Sequence, residues 1–333
     1  MKILLLGLLL LAETTLAASI NVYSGRNESL IKPLLDAFEQ DTGIEVNLVT
    51  GSADTLINRL QLEGRNSPAD LLLTVDVGRL HRAQEADLLA PVDSTVLAQV
   101  IPAQYRDPHG HWFGLSLRSR VLVYAPDRVD ASRLSTYEAL ADPEWKGRIC
   151  IRSSSNIYNQ SLVASMIAAD GVPATEAWAR GLVANMARPP GGGDRDQIKA
   201  VAAGQCDLAV VNNYYLAGML SSTDASERAM AQQVVLFWPN QEGRGAHVNV
   251  SGAGVTRAAK NRAEAVALLE YLVSESAQSW YAKTNHEYPV RADVENSELQ
   301  KLWGAYKADS QSLPELGKFN EAAVRLMDRA GWK

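Results

Sequence analysis

The stretch Ser19 to Asp76, SINVYSGRNESLIKPLLDAFEQDTGIEVNLVTGSADTLINRLQLEGRNSPADLLLTVD, decides the fold. Ser19 to Ser24 alternates with Ile20 and Val22 on one side, and Leu30, Ile31, Leu34, Leu35 and Phe38 then recur at helical spacing until Gly43 ends the pattern. Ile44, Val46 and Leu48 alternate again, Leu56, Ile57 and Leu60 return to helical spacing, and Leu71 to Val75 is a continuous apolar run typical of a buried parallel strand. The order is βαβαβ. Such a unit builds an open sheet with right-handed crossovers, and ligands bind outside the carboxyl ends of its strands. Those ends are Ser24 to Glu28, Gly51 to Ala53, and Asp76.

The pattern restarts in mid-chain. Arg148 to Arg152 reads as a strand, Ile157 to Ala169 and Ala174 to Met186 as helices, and Ile198 to Ala203 as a third helix leading into the strand Cys206 to Val211. Between the two units, Arg120 to Tyr124 is a β-branched strand, and Ala246 to Val250 lies at the far side of the second. Read as crossings, they make a hinge with a cleft between two lobes. Residues 18–119 and 250–298 then form lobe one, and residues 120–249 and 299–333 form lobe two. Pro189 to Gly193 lacks the Lys-Ser or Lys-Thr of a phosphate loop and reads as surface.

Composition narrows the partners. With 333 residues there is chain for about two domains, and 32 basic against 38 acidic residues, a net charge of -6, leave no field for nucleic acid. Lys2, the apolar run Ile3 to Ala12 and Thr15-Leu16-Ala17 have the layout of a signal peptide over residues 1–17, with a mature chain beginning near Ala18. The run is short for a bilayer, no later segment approaches about 20 apolar residues, and no Cys follows the cleavage point to take a lipid. The expectation is a periplasmic protein that is not membrane-embedded. In an oxidising compartment Cys150 and Cys206 either form a disulfide, which needs Cα atoms within about 7 Å, or remain two buried small hydrophobes.

Enzyme signatures are absent: there is no His-Glu-x-x-His, Gly-x-Ser-x-Gly or Cys-x-x-Cys. His109 and His111 flank Gly110 in a segment that reads as a surface hairpin. Asn212-Asn213-Tyr214-Tyr215 is more informative, because it lies where a strand ends and a helix begins, on the cleft edge of the second unit. Tyr158, after Ser153-Ser154-Ser155-Asn156, stands at the corresponding end of the neighbouring strand. Three phenols that converge offer hard anionic oxygen to a hard cation such as ferric iron. A tyrosine pair taken alone is more often a packing feature than a ligand pair. The serine run opens a helix whose free N–H groups attract an anion, or it is a plain N-cap.

These motifs resemble the periplasmic ferric-iron-binding proteins of ABC transporters, which have the type II periplasmic binding protein fold. The likeness runs through Val22-Tyr23-Ser24-Gly25-Arg26, Asn66-Ser67-Pro68-Ala69-Asp70, Trp145-Lys146-Gly147-Arg148, Arg152 to Leu162, Asn212 to Tyr215, Asn240 to Gly245 and Glu287-Tyr288-Pro289-Val290. It implies two α/β lobes, each an open mixed sheet flanked by helices, joined by two crossing hinge strands. It also implies phenolate ligands to Fe(III) at Tyr158, Tyr214 and Tyr215. On the other lobe the similar branch has His then Tyr after the first strand, where this chain has Asn27 and Glu28; another branch uses Glu at the position of Val75, beside Asp76. Lobe one therefore offers Glu28 as a carboxylate ligand, Asn27 as a weaker amide oxygen, and no imidazole. Glu28 is equally a solvated glutamate at a helix start.

Without Glu28, a carbonate-like synergistic anion would complete the iron shell, with Arg118, Ser154 and Arg26 as its anion-binding residues. The expected function is capture of ferric iron by a monomer, without catalysis, for delivery to an inner-membrane ABC permease. Two other readings stand beside it. One is a protein of the same fold that takes a small anion through Arg118 and Ser154 and no longer binds iron; the other is a periplasmic enzyme using cleft carboxylates.

Overall fold

Ile20, Val22, Leu71, Leu72 and Leu73 are fully buried, and around them the first strands assemble as their alternation requires. The computed structural model describes residues 18–333, so the expected signal peptide lies outside the described residues. β1 (Ser19–Ser24) lies between β2 (Glu45–Thr50) and β3 (Leu71–Val75), parallel to both. α1 (Lys32–Thr42) ends at Gly43 with φ 71, a left-handed cap that glycine takes without strain. α2 (Ala53–Glu63) is capped by the Ser52 hydroxyl, which accepts from Thr55 N–H. α3 (Val77–Glu85) and α4 (Thr95–Val100) follow.

β4 (Phe113–Tyr124) is the spine, with all of its 12 residues buried. From Phe113 to Ser119 it pairs antiparallel with β8 (Val248–Val255), which pairs in turn with β3. From Arg120 to Tyr124 it pairs with β6 (Leu208–Asn212) and, over Leu122 to Tyr124, with β7 (Val235–Phe237). β5 (Ile149–Cys150) runs parallel to β6, and β9 (Tyr288–Pro289) adds to β4. The order is β2-β1-β3-β8-β4-β6-β5. The crossing expected at Arg120 is thus the second half of a longer strand. The return crossing differs from the expected strand Ala246 to Val250, because Val248 is already paired with Ser119 and the chain before it carries only an isolated bridge, Ala246 to Ala308.

Helices cover both halves. α5 (Ile157–Asn185) breaks at Gly171, φ 79, which separates the two helices read from the sequence. α6 (Asp194–Ala202), α7 (Asn213–Leu220) and α8 (Ala225–Ala231) flank β6, while α9 (Arg262–Leu272) and α10 (Glu275–Thr284) return to the first sheet. α11 (Glu298–Leu302), α12 (Leu313–Lys318) and α13 (Asn320–Arg329) complete the chain. Leu313 and Leu316 bury in the first core with Phe38 and Trp112, whereas Ala323, Leu326 and Met327 bury with Trp145 and Leu162 in the second. Among the described residues no helix is long and apolar enough to cross a membrane.

Cys150 and Cys206 form a disulfide, with Cα atoms 5.8 Å apart. Both are buried in the core beneath α6 and α7, because parallel pairing of Ile149 with Leu208 brings β5 beside the start of β6, two residues after Cys206. Closing a sequence separation of 56 residues removes about 4 kcal/mol of unfolded-chain entropy. Thermal unfolding of a Cys150→Ser/Cys206→Ser protein should register a loss of that order. A loss below about 1 kcal/mol would contradict the chain-entropy account.

Candidate functional site

Two parallel strands and the helices that follow them build the site. β5 leads to α5, and β6 runs straight into α7, so Tyr158 stands in the first turn of one helix and Tyr214 and Tyr215 in the first turn of the other. Neighbouring strands place both helix N-termini at the same sheet end, where unpaired N–H groups and the helix dipole favour negative charge. The Tyr214 hydroxyl lies 3.3 Å from the Tyr158 hydroxyl, and the Tyr214 and Tyr215 rings are 4.3 Å apart between centroids. All three line a cleft of about 550 Å³ that is also lined by Arg26, Asn27, Ser29, Asn285 and His286.

Arginines stand behind the phenols. The Arg118 guanidinium lies 5.6 Å from the Tyr214 ring centre, and that of Arg152 lies 5.9 Å from the Tyr158 ring centre. Arg118 pairs with Glu287 at 2.7 Å and Arg26 pairs with the same carboxylate at 2.9 Å, with the Ser116 hydroxyl donating to it at 2.8 Å. Burial alone would raise the Glu287 carboxyl, but the two guanidiniums prevail and hold it down to about 2. A second cluster mirrors the first: Asp194 accepts from Arg120 and Arg152, each at 2.7 Å, and Arg120 also donates to Asn159 at 2.8 Å. Four guanidiniums against three carboxylates, the third being the buried Asp76 beside Arg118 and Arg120, leave positive charge beneath the tyrosines. Burial pushes the Tyr214 phenol well above the usual tyrosine range, with Arg118 pulling the other way, and burial raises Tyr215 too.

The sequence-derived residues divide sharply. Tyr158, Tyr214 and Tyr215 are brought together. Asn27 lines the cleft, yet its Oδ1 accepts from the N–H and hydroxyl of Ser29, both at 3.3 Å. Glu28 is exposed at the first position of a short 3-10 turn and is not among the lining residues. Arg118 and Arg26 are buried on Glu287. Ser154 is outside the lining as well, its N–H donating to the Lys333 carbonyl at 3.0 Å and its own carbonyl accepting from Gln160 at 3.1 Å. The small-anion reading needed these groups free. Asp76 also turns away from the cleft: buried, with φ 79, it accepts from Gly78 N–H at 2.9 Å, from Asn249 at 3.0 Å and from the Ser161 hydroxyl of α5. His109 and His111 lie in a turn held by Asp107, which accepts from both backbone N–H groups at 3.0 Å.

Several residues of the site went unread in the sequence. His286 puts an imidazole on the cleft wall, although no imidazole was expected there. Glu287 had a signal, since it opens the Glu287-Tyr288-Pro289-Val290 stretch, but nothing local gave it a role. Asp194 and Arg195 follow the glycine-rich loop read as surface; Asp194 is buried and Arg195 lines the cleft.

Residues 66–306 match the family described as bacterial extracellular solute-binding protein. The chain belongs to this family. The solute-binding protein is 50% identical over 314 residues to Iron uptake protein A1 of Synechocystis, covering 94% of this chain and 87% of the relative. It is 33% identical to the Fe(3+)-binding periplasmic protein of Serratia marcescens, covering 94% and 90%. Among solved structures, a Trichodesmium protein (IdiA, FutA) in complex with iron and citrate ligands superposes with a TM-score of 0.91 at 51% identity, covering 95% of this chain and 100% of that one. The fold of this solute-binding protein is that of the type II periplasmic binding proteins, as the motif resemblance implied.

Proposed function

We propose that the protein captures ferric iron in the periplasm as the solute-binding component of an ABC importer and delivers it to an inner-membrane permease. The observation that carries this reading is the meeting of three phenolic oxygens at one cleft edge, with Tyr158 and Tyr214 hydroxyls 3.3 Å apart above a cationic base. Phenolate is a hard ligand suited to Fe(III), and the cationic base favours its anionic form. Relatives named for iron uptake and for Fe(3+) binding, at 50% and 33% identity, support it. No reaction is involved: iron is cargo, held and released.

Tyr158, Tyr214 and Tyr215 supply three ligand oxygens in this reading, and an anion that arrives with the metal fills positions the protein leaves open. Glu28, exposed between the cleft-lining Asn27 and Ser29 but itself outside the lining, is not counted among the ligands in this reading. The lobes, 18–119 with 250–298 and 120–249 with 299–333, close about the junction within β4, with α12 packing back onto lobe one. Titrating the iron-free mature protein with ferric citrate should raise a broad visible phenolate-to-iron band that saturates at one iron per chain. A colourless protein that loses its iron on desalting would end this proposal.

A further inference from the structure

The anion that accompanies iron must meet a cation, and the arginines beneath the phenols are already engaged. Arg26 and Arg118 share Glu287, and Arg152 holds Asp194. Arg195 differs. It projects from the first turn of α6, lines the cleft, and keeps 44% of its side chain exposed. Its Nη1 is held at 2.8 Å by Glu227 of α8, which fixes the plane of the guanidinium and leaves Nη2 free to turn elsewhere.

Nη2 turns onto Gly218. A Cβ built there would stand 3.1 Å from it, so the missing side chain is what allows the guanidinium to lie against α7. Gly218 itself lines the cleft, one turn beyond Tyr214 and Tyr215 on the same helix. One turn is about 5.4 Å. A polycarboxylate that chelates iron through one end carries a further carboxylate for a guanidinium farther along α7, whereas carbonate has no second carboxylate to offer. The cleft, about 550 Å³, has room for the larger anion.

We propose that Arg195, seated over Gly218, receives the free carboxylate of a polycarboxylate chelator that enters with ferric iron, and so sets which iron complexes the protein takes. This rests on the iron reading above and deepens it. Guanidinium and carboxylate match as a paired donor fork and a paired acceptor, which a lysine cannot reproduce.

The test uses the mature protein loaded from ferric citrate carrying radiolabelled citrate, then desalted. The visible band counts iron and the label counts chelator. The parent should retain one citrate per iron. Arg195→Gln should keep the band and lose citrate at least tenfold, and Gly218→Val should do the same by displacing the guanidinium. When iron is supplied without citrate, by air oxidation of a ferrous salt in buffer with labelled bicarbonate, parent and Arg195→Gln should load alike. Citrate retained equally by parent and Arg195→Gln would overturn the proposal. So would a parent that shows the band with no citrate, or with carbonate in its place, and either result leaves the iron reading intact. A parent with no band at all removes the iron reading and the proposal together.

Discussion

Tyr214→Phe should abolish retention of iron through desalting and erase most of the visible band, while leaving the fold unchanged. The hydroxyl removed is the one that faces Tyr158 at 3.3 Å, and its ring lies under the Arg118 guanidinium. Phenylalanine keeps the ring and its contacts, so the change isolates the ligand atom. A ligand bond is lost and nothing at the site replaces its anionic oxygen, so the affinity should fall on the order of a thousandfold or more. Tyr215→Phe and Tyr158→Phe should act in the same direction. Measurement is by competition against a chelator of known affinity, with circular dichroism and melting temperature as the control for folding. Parent-like iron affinity in a well-folded Tyr214→Phe protein would remove Tyr214 from the ligand set.

Iron loading should also release about three protons per metal ion at neutral pH, one for each phenol ligated. The sign follows from the site. Tyrosine ordinarily keeps its proton to about pH 10, and burial pushes the Tyr214 and Tyr215 phenols higher still. In the iron-free protein the metal must therefore displace those protons. As pH falls the protons compete better, so the apparent affinity should drop by about a thousandfold per pH unit across the neutral range. The dependence would flatten only above the raised phenol values. Potentiometry in weak buffer, with the iron donor's own proton uptake subtracted, gives the number directly. A release of fewer than two protons would mean that the phenols are not the principal ligands.

The parts of this protein that the sequence made legible are those whose neighbours decide their environment. β1 and β2 alternate because each presents one face to a core, and β3 reads as an apolar run broken only by the buried Thr74 because both of its faces are covered. The tyrosines were legible because strand-to-helix junctions fix their position locally. Phe113 to Ser119 was not, since Ser116 and Arg118 interrupt its pattern, and their burial depends on Glu287, which lies 171 and 169 residues away. Arg118 read as a free cation for the same reason. Nothing beside it in the chain announces the carboxylate that engages it. His286 and Arg195 gained their places from the way separate segments meet at the cleft.

The junction within β4 has a consequence for how such a protein can be altered. Arg118 and Arg120 lie two residues apart, on one face of the strand and on either side of the change from one sheet to the other. One guanidinium is anchored to Glu287 beneath Tyr214 and the other to Asp194, which also anchors the Arg152 that backs Tyr158. The junction and the counter-charge of the proposed iron seat thus share the same few residues. If the proposed lobes close about this junction, a substitution of either arginine should alter both the junction and the charge beneath the phenols, so opening speed and holding strength should change together. Adjusting one without the other requires changes at the rim of the cleft, away from the strand.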